Sequence, residues 1–121
     1  MPNKKTLVIG ASENEERYSN MAMKLLTKYG HEVIAIGNRK GKVEGINIET
    51  EKQPFEDVDT VTLYLNPTLQ EQYYDYILGL NPKRILFNPG TENIRLKELA
   101  EAQGIITEDA CTLVLLRLGQ Y

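Results

Sequence analysis

The chain has 121 residues, 41% of them hydrophobic and 26% charged, enough apolar material for one domain with its own core and too much for a disordered chain. Lys and Arg number 14 against 17 Asp and Glu, a net charge of -3, so the global basic footprint of a nucleic-acid binder is absent. No apolar run approaches the roughly 20 residues that span a bilayer, and a single cysteine and a single histidine exclude an intramolecular disulfide and argue against a structural zinc site.

The start, Met-Pro-Asn-Lys-Lys, leads straight into apolar residues with no small-residue cleavage site, so no signal peptide is expected and the lone cysteine fits a reducing cytoplasm. TLVI at 6–9 is a buried-strand pattern ending at Gly10. A polar loop follows, and Ser19 or Asn20 can cap a helix running to Tyr29, with Ala22, Leu25, Leu26 and Tyr29 on one face. Gly30 stands where a left-handed C-cap is expected. HEVIAI at 31–36 reads as a second strand, with His31 at the sheet edge as a surface or rim residue.

Residues 37–57 are punctuated by Gly37, Gly41 and Gly45, with a short extended piece at 46–48. A third strand is predicted at 59–65. Asn66 and Pro67 then stand as N-cap and first residue of a helix carrying Leu69, Tyr73, Tyr76, Ile77 and Leu80 on one side. RILF at 84–87 is a fourth strand, NPGT at 88–91 a turn, and 92–103 a helix stopped by Gly104. A short fifth strand at 105–107 and a last helix, capped by Asp109 and containing LVLL at 113–116, complete the chain. Strands alternating with helices imply an α/β fold: a single domain over 1–121, built as a three-layer, doubly wound parallel sheet of about five strands.

In such a sheet the ligand lies beyond the carboxyl ends of the strands. The first turn there is Gly10-Ala11-Ser12, with one glycine where the dinucleotide fingerprint has three. The nearby helix start offers N–H groups and a positive dipole end to an anion, and Arg17, Ser19 and Asn20 add donors. Glu13, Glu15 and Glu16 share that loop and are expected to point to solvent. After the second strand, an NAD site would need an acidic residue for a ribose hydroxyl. The chain has Gly37, Asn38, Arg39, Lys40, Gly41 and Lys42 instead. Three cations suit an extra ribose phosphate, as in NADP or coenzyme A, and charge alone does not separate the two. Asn66-Pro67 and Asn88-Pro89-Gly90-Thr91 reach the same edge, where the glycine permits close backbone approach. No catalytic constellation is visible, because any triad would need His31 at the far end of the sheet. Cys111 stands at the start of the last helix, where a dipole can activate a thiol, and its thiolate could attack the disulfide of oxidised coenzyme A to form a mixed disulfide with release of one coenzyme A thiol.

The stretches VIGASENEERYSNMAMKLL, GHEVIAIGNRKGKVEGI, VDTVTLYLNP, ILFNPGTEN and EDACTLVLLRLGQY together resemble the small stand-alone CoA-binding domain proteins. These are Rossmann-like and related to the N-terminal domain of the succinyl-CoA synthetase alpha subunit. The resemblance implies that Gly10, Ala11, Ser12 and Arg17 face a pyrophosphate. It implies that Asn38, Arg39 and Lys40 lie by the adenosine ribose and its phosphate, Lys40 matching a lysine kept in that stretch. Asn66 and Pro67 would border the adenine or pantetheine path, and Asn88, Pro89, Gly90 and Thr91 would close the other side. Many relatives have Asn-Pro after the second strand, where this chain has Gly37-Asn38-Arg39. The synthetase's phosphorylated histidine has no counterpart, so its ligase reaction does not carry over. The expectation is a non-catalytic or accessory module for coenzyme A or an acyl-CoA. An NADP-using oxidoreductase component stays open beside it. So does an interaction protein with a vestigial pocket, its homodimer or partner surface formed by LVLL and by Tyr73, Tyr74 and Tyr76.

Overall fold

The computed structural model describes residues 2–121. Its strands are β1 (Thr6–Ile9), β2 (Val33–Ile36), β3 (Gly41–Val43), β4 (Ile46–Glu49), β5 (Thr60–Leu63), β6 (Arg84–Phe87) and β7 (Ile106–Asp109). They form one sheet in the order β3-β4-β2-β1-β5-β6-β7. All neighbours are parallel except the β3/β4 hairpin. The central parallel strands β1, β2, β5 and β6 come from the mainly apolar and β-branched runs of the sequence, and β1, β5 and β6 are buried along their whole length, as strands covered on both faces must be.

The sheet therefore has seven strands where the sequence pattern implies about five. The additional pairing comes from the glycine-punctuated stretch after β2. Val43 pairs with Ile46 across a two-residue turn, and both turn residues, Glu44 and Gly45, have positive φ, 50° and 80°, as the hairpin turn that matches strand twist requires. These strands are short and half polar, so their period is weak.

The helices are α1 (Tyr18–Lys28), α2 (Pro67–Gln70), α3 (Tyr74–Leu80), α4 (Ile94–Ala102) and α5 (Thr112–Arg117), with a 3-10 turn at Glu71–Tyr73. Among the described residues no helix is long and apolar enough to cross a membrane. Alternate strand residues feed two cores. Leu7, Val61 and Phe87 meet Ile77, Leu96 and Ala100 of α3 and α4, while Val8, Ala35 and Leu86 meet Met23, Leu26 and Leu116 of α1 and α5. This is the expected three-layer, Rossmann-like arrangement. The chain leaves β1 toward β2 on one side and returns to β5 on the other, so the carboxyl ends of β1 and β5 form the switch point.

Several local expectations change for physical reasons. α1 starts at Tyr18 with Arg17 as its N-cap and no side-chain cap. Ser19 and Asn20, predicted as caps, are buried inside the first turn, because a turn closing from Arg17 N–H to the Asn14 carbonyl begins the helical rise earlier. Asp109 does not cap the last helix. It ends β7 and pairs with Lys97 at 3.8 Å. Asn88 Oδ1 instead accepts the Thr112 N–H at 2.9 Å, so α5 is capped from a neighbouring strand. The single tyrosine-bearing helix is broken by the 3-10 turn, where Tyr73 has φ -103° and ψ -3°. Tyr73, Tyr74 and Tyr76 are half-buried and pack against the core on one side. Leu113 and Leu116 of LVLL are buried, while Val114 is exposed. His31 is not a rim residue either. It is buried, accepts the Lys4 N–H at Nδ1 (2.9 Å) and lies 4.9 Å from the Tyr121 ring.

Candidate functional site at the carboxyl ends of β1 and β2

Gly10 leaves β1 with φ 95°, and a Cβ there would press on the Tyr64 backbone at 3.1 Å. The glycine is thus fixed by chain shape and by the closeness of β5. The N–H groups of Gly10 and Ala11 both donate to the Ile36 carbonyl, at 2.9 and 3.0 Å, which ties the first turn to the end of β2. The loop beyond is held by its own side chains. Ser12 Oγ accepts the Asn14 N–H and Asn14 Oδ1 accepts the Glu16 N–H, each at 3.0 Å. Asn20 Nδ2 donates to the Ser12 carbonyl at 3.0 Å. The first turn of α1 is therefore committed to shaping this loop, and its dipole end points toward it.

The second turn lies against the first. Gly37 is buried, and a Cβ there would collide with the Ala11 carbonyl oxygen. Only glycine lets the two turns approach this closely. Asn38, Arg39 and Lys40 follow, all exposed. Together with Ala11, Ser12, Glu13 and Asn14 they line a cavity of about 170 Å³. Whole-ligand sites usually run to several hundred Å³, so this one has room for a phosphate- or ribose-sized group only. Among the described residues no ion pair engages Arg17, Arg39, Lys40 or Lys42.

The three acids of the loop have different fates. Glu15 pairs with Lys24 at 3.3 Å. Glu13 is exposed, as expected of the loop, and its Oε2 accepts the Lys42 N–H at 2.9 Å. Sequence reasoning missed Glu13 as a site residue, because its partner is a backbone group 29 positions away.

The remaining predicted residues reach the same edge but do not line this cavity. Arg17 is exposed at the start of α1. Asn66 is exposed and caps α2 by accepting the Leu69 N–H at 3.0 Å, with Pro67 at the first helical position. Asn88 is buried, donates to Thr62 Oγ1 and the Leu63 carbonyl, and accepts from Thr112. Its polar atoms hold the protein together. Thr91 is also buried, donating to the Asn88 carbonyl at 2.7 Å. Only Pro89 and Gly90 of that turn are exposed. Gln70, fully buried, donates to both the Leu65 and Thr91 carbonyls at 2.8 Å and so ties the turns after β5 and β6 together. No sequence signal marked it. Tyr64, next to the switch point, is held as a neutral phenol because burial pushes it well above its usual range. Cys111 is half-buried at the N-cap of α5.

The open, mostly parallel sheet with helices on both faces places the chain among Rossmann-like α/β domains, and its cation-lined cavity lies at the carboxyl ends of β1 and β2, beside the switch point. Residues 4–117 match the CoA binding domain family, and the chain belongs to it. A crystal structure of an uncharacterized protein superposes with a TM-score of 0.97 at 47% identity, covering 100% of both chains. A hypothetical protein from Pyrococcus horikoshii OT3 gives a TM-score of 0.82 at 24% identity, over 96% of this chain and 84% of that one. The dinucleotide forming acetyl-coenzyme A synthetase 1 of Ca. Korarchaeum cryptofilum, in complex with phosphate and ADP, gives 0.69 at 16% identity, over 88% of this chain and 26% of its own. These last two likenesses are of fold. No curated protein matches the sequence.

Proposed function

We propose that this chain binds coenzyme A or an acyl-CoA through the nucleotide end and works as a binding module without chemistry of its own. The observation that carries the reading is the cavity between the first two turns, where Arg39 and Lys40 face Ala11 and Ser12 beside the start of α1. The donor set fits a phosphorylated ribose. It offers two cations that form no ion pair among the described residues, a glycine-permitted close approach at Gly37, and a helix start whose dipole favours anions. Pro89 and Gly90, with Asn66 and Pro67, would border the remaining length of the ligand. Asn88 and Thr91 act behind them, by fixing the turn. Arg17, exposed at the helix start, is placed to meet a pyrophosphate. NADP also carries a ribose phosphate, but membership of the CoA binding domain family favours coenzyme A.

Thermal unfolding with coenzyme A, dephospho-CoA, NADP and NAD at one concentration tests this. A ligand at 100 times its Kd stabilises by about 2.7 kcal/mol, a shift of several degrees in a chain of this size. The reading expects a shift with coenzyme A that shrinks when the 3′-phosphate is missing. A shift with NADP alone, or with none of the four, overturns it.

A further inference from the structure

Glu13 is the one carboxylate on the wall of the cation-lined cavity, and its placement is specific. Its Oε2 accepts the Lys42 N–H at 2.9 Å. The carboxylate lies against the Cα of Gly41, where a Cβ would overlap its Cδ, Cγ and Oε1. Gly41 therefore has a role distinct from that of Gly37. At Gly37 the obstacle to a side chain is the Ala11 backbone, whereas at Gly41 it is a side chain that can swing away. Arg39 and Lys40 lie between these two points. One end of their turn is pinned by the Gly37–Ala11 contact and the other by Glu13.

We propose that Glu13 is a positioning residue: it clamps the far end of the basic turn so that Arg39 and Lys40 face the first turn and meet the phosphates of the nucleotide. The inference rests on the coenzyme A reading for its ligand, but the clamp itself is a property of the chain. An acid beside a phosphate site should weaken anion binding through its charge. A clamp should strengthen binding by ordering the turn in advance. The two effects have opposite signs, and substitution separates them. Gln keeps an oxygen that can accept the Lys42 N–H and removes the charge. Ala removes both.

The experiment measures coenzyme A affinity by calorimetry and Lys42 amide exchange by NMR for wild type, Glu13→Gln, Glu13→Ala, Gly41→Ala and the Glu13→Ala/Gly41→Ala double variant. The clamp predicts that Glu13→Ala weakens binding about tenfold and speeds Lys42 exchange, while Glu13→Gln binds at least as well as wild type. Gly41→Ala must displace the carboxylate, so it reproduces Glu13→Ala, and the double variant is no worse than either single one. Glu13 lies in an exposed loop and Gly41 at the start of the edge strand β3, and a melting temperature near that of wild type shows that the fold is kept. Binding by Glu13→Ala as tight as wild type, or tighter, overturns the proposal. So does Lys42 exchange that is the same in all five chains. If wild type binds no coenzyme A yet Glu13→Ala still speeds Lys42 exchange, the ligand reading fails and the clamp stands.

Discussion

Arg39 and Lys40 are exposed and, among the described residues, in no ion pair, so their energetic weight should appear only when a phosphate is present. Replacing both by Ala should leave the melting temperature within about a degree, since surface changes away from packed features cost within about 0.5 kcal/mol. It should weaken coenzyme A at least tenfold more than dephospho-CoA, charge-assisted bonds being worth about 1.5–3 kcal/mol before solvent screening. Equal weakening of the two ligands in calorimetry would remove the assignment of these residues to the 3′-phosphate. His31 makes a second residue-scale case. Burial lowers its pKa from the ordinary 6.5, and the cations of Lys4 and Arg84 add to this against a smaller opposing pull from Asp59. The Lys4 N–H that donates to Nδ1 also requires that nitrogen to be unprotonated. The unfolded chain therefore binds the proton more readily, and the stability from neutral His31 is present above about pH 6.5 and lost as pH falls toward the folded pKa. Thermal unfolding between pH 7.5 and 5.5 should fall more steeply for wild type than for His31→Gln, and parallel curves would contradict this. The three cations after β2 were legible in the sequence because charge needs no partner to be noticed. The burial of His31 was not, because Tyr121 covers it from a distant part of the chain.

At the scale of elements, the site is held by contacts between turns more than by any one turn. Asn88 joins β6, β5 and the start of α5 through three hydrogen bonds of 2.7–3.0 Å. Asn88→Ala strands buried partners on three segments, at about 1–3 kcal/mol for an unsatisfied group, and should cost about 3 kcal/mol in denaturant unfolding. A loss below about 1 kcal/mol would show that these segments find other partners. Gly37→Ala forces apart the two turns at the Ala11 carbonyl, so it should cost about 2 kcal/mol and weaken coenzyme A, both readable from ligand-dependent melting. The strands most legible in the sequence were β1, β2, β5 and β6, apolar or β-branched throughout apart from Arg84, because a strand buried on both faces carries its signal in composition. β4 was legible only as a short extended piece at 46–48 and β3 not at all, since an edge hairpin buries one face only and here alternates over three or four residues. Helix caps were the least legible feature. The donors at the start of α5 are met by Asn88, which no local pattern reveals.

The whole molecule has two edges with different contents. At the amino ends of β5 and β6 lies the larger depression, about 720 Å³, lined by Lys52, Phe55, Asp75, Tyr76 and Leu80 among others. At the carboxyl ends of β1 and β2 lies the smaller cavity with Arg39, Lys40 and the start of α1. Size favours the first edge, whereas topology and chemistry favour the second, because ligands of open α/β sheets lie outside the carboxyl ends at the switch point. The strand order that places this switch point was legible only as a class of fold. Which turns press together depends on Gly37 and Ala11, residues of two different loops. The most direct test of the account is an NMR titration of the labelled chain with coenzyme A, following every backbone amide. The account predicts saturable shifts concentrated at 10–14 and 37–42, with smaller ones at Asn66 and Gly90, and little change at 52–57. Shifts concentrated at 52–57 and 75–80, or none at all, would contradict it.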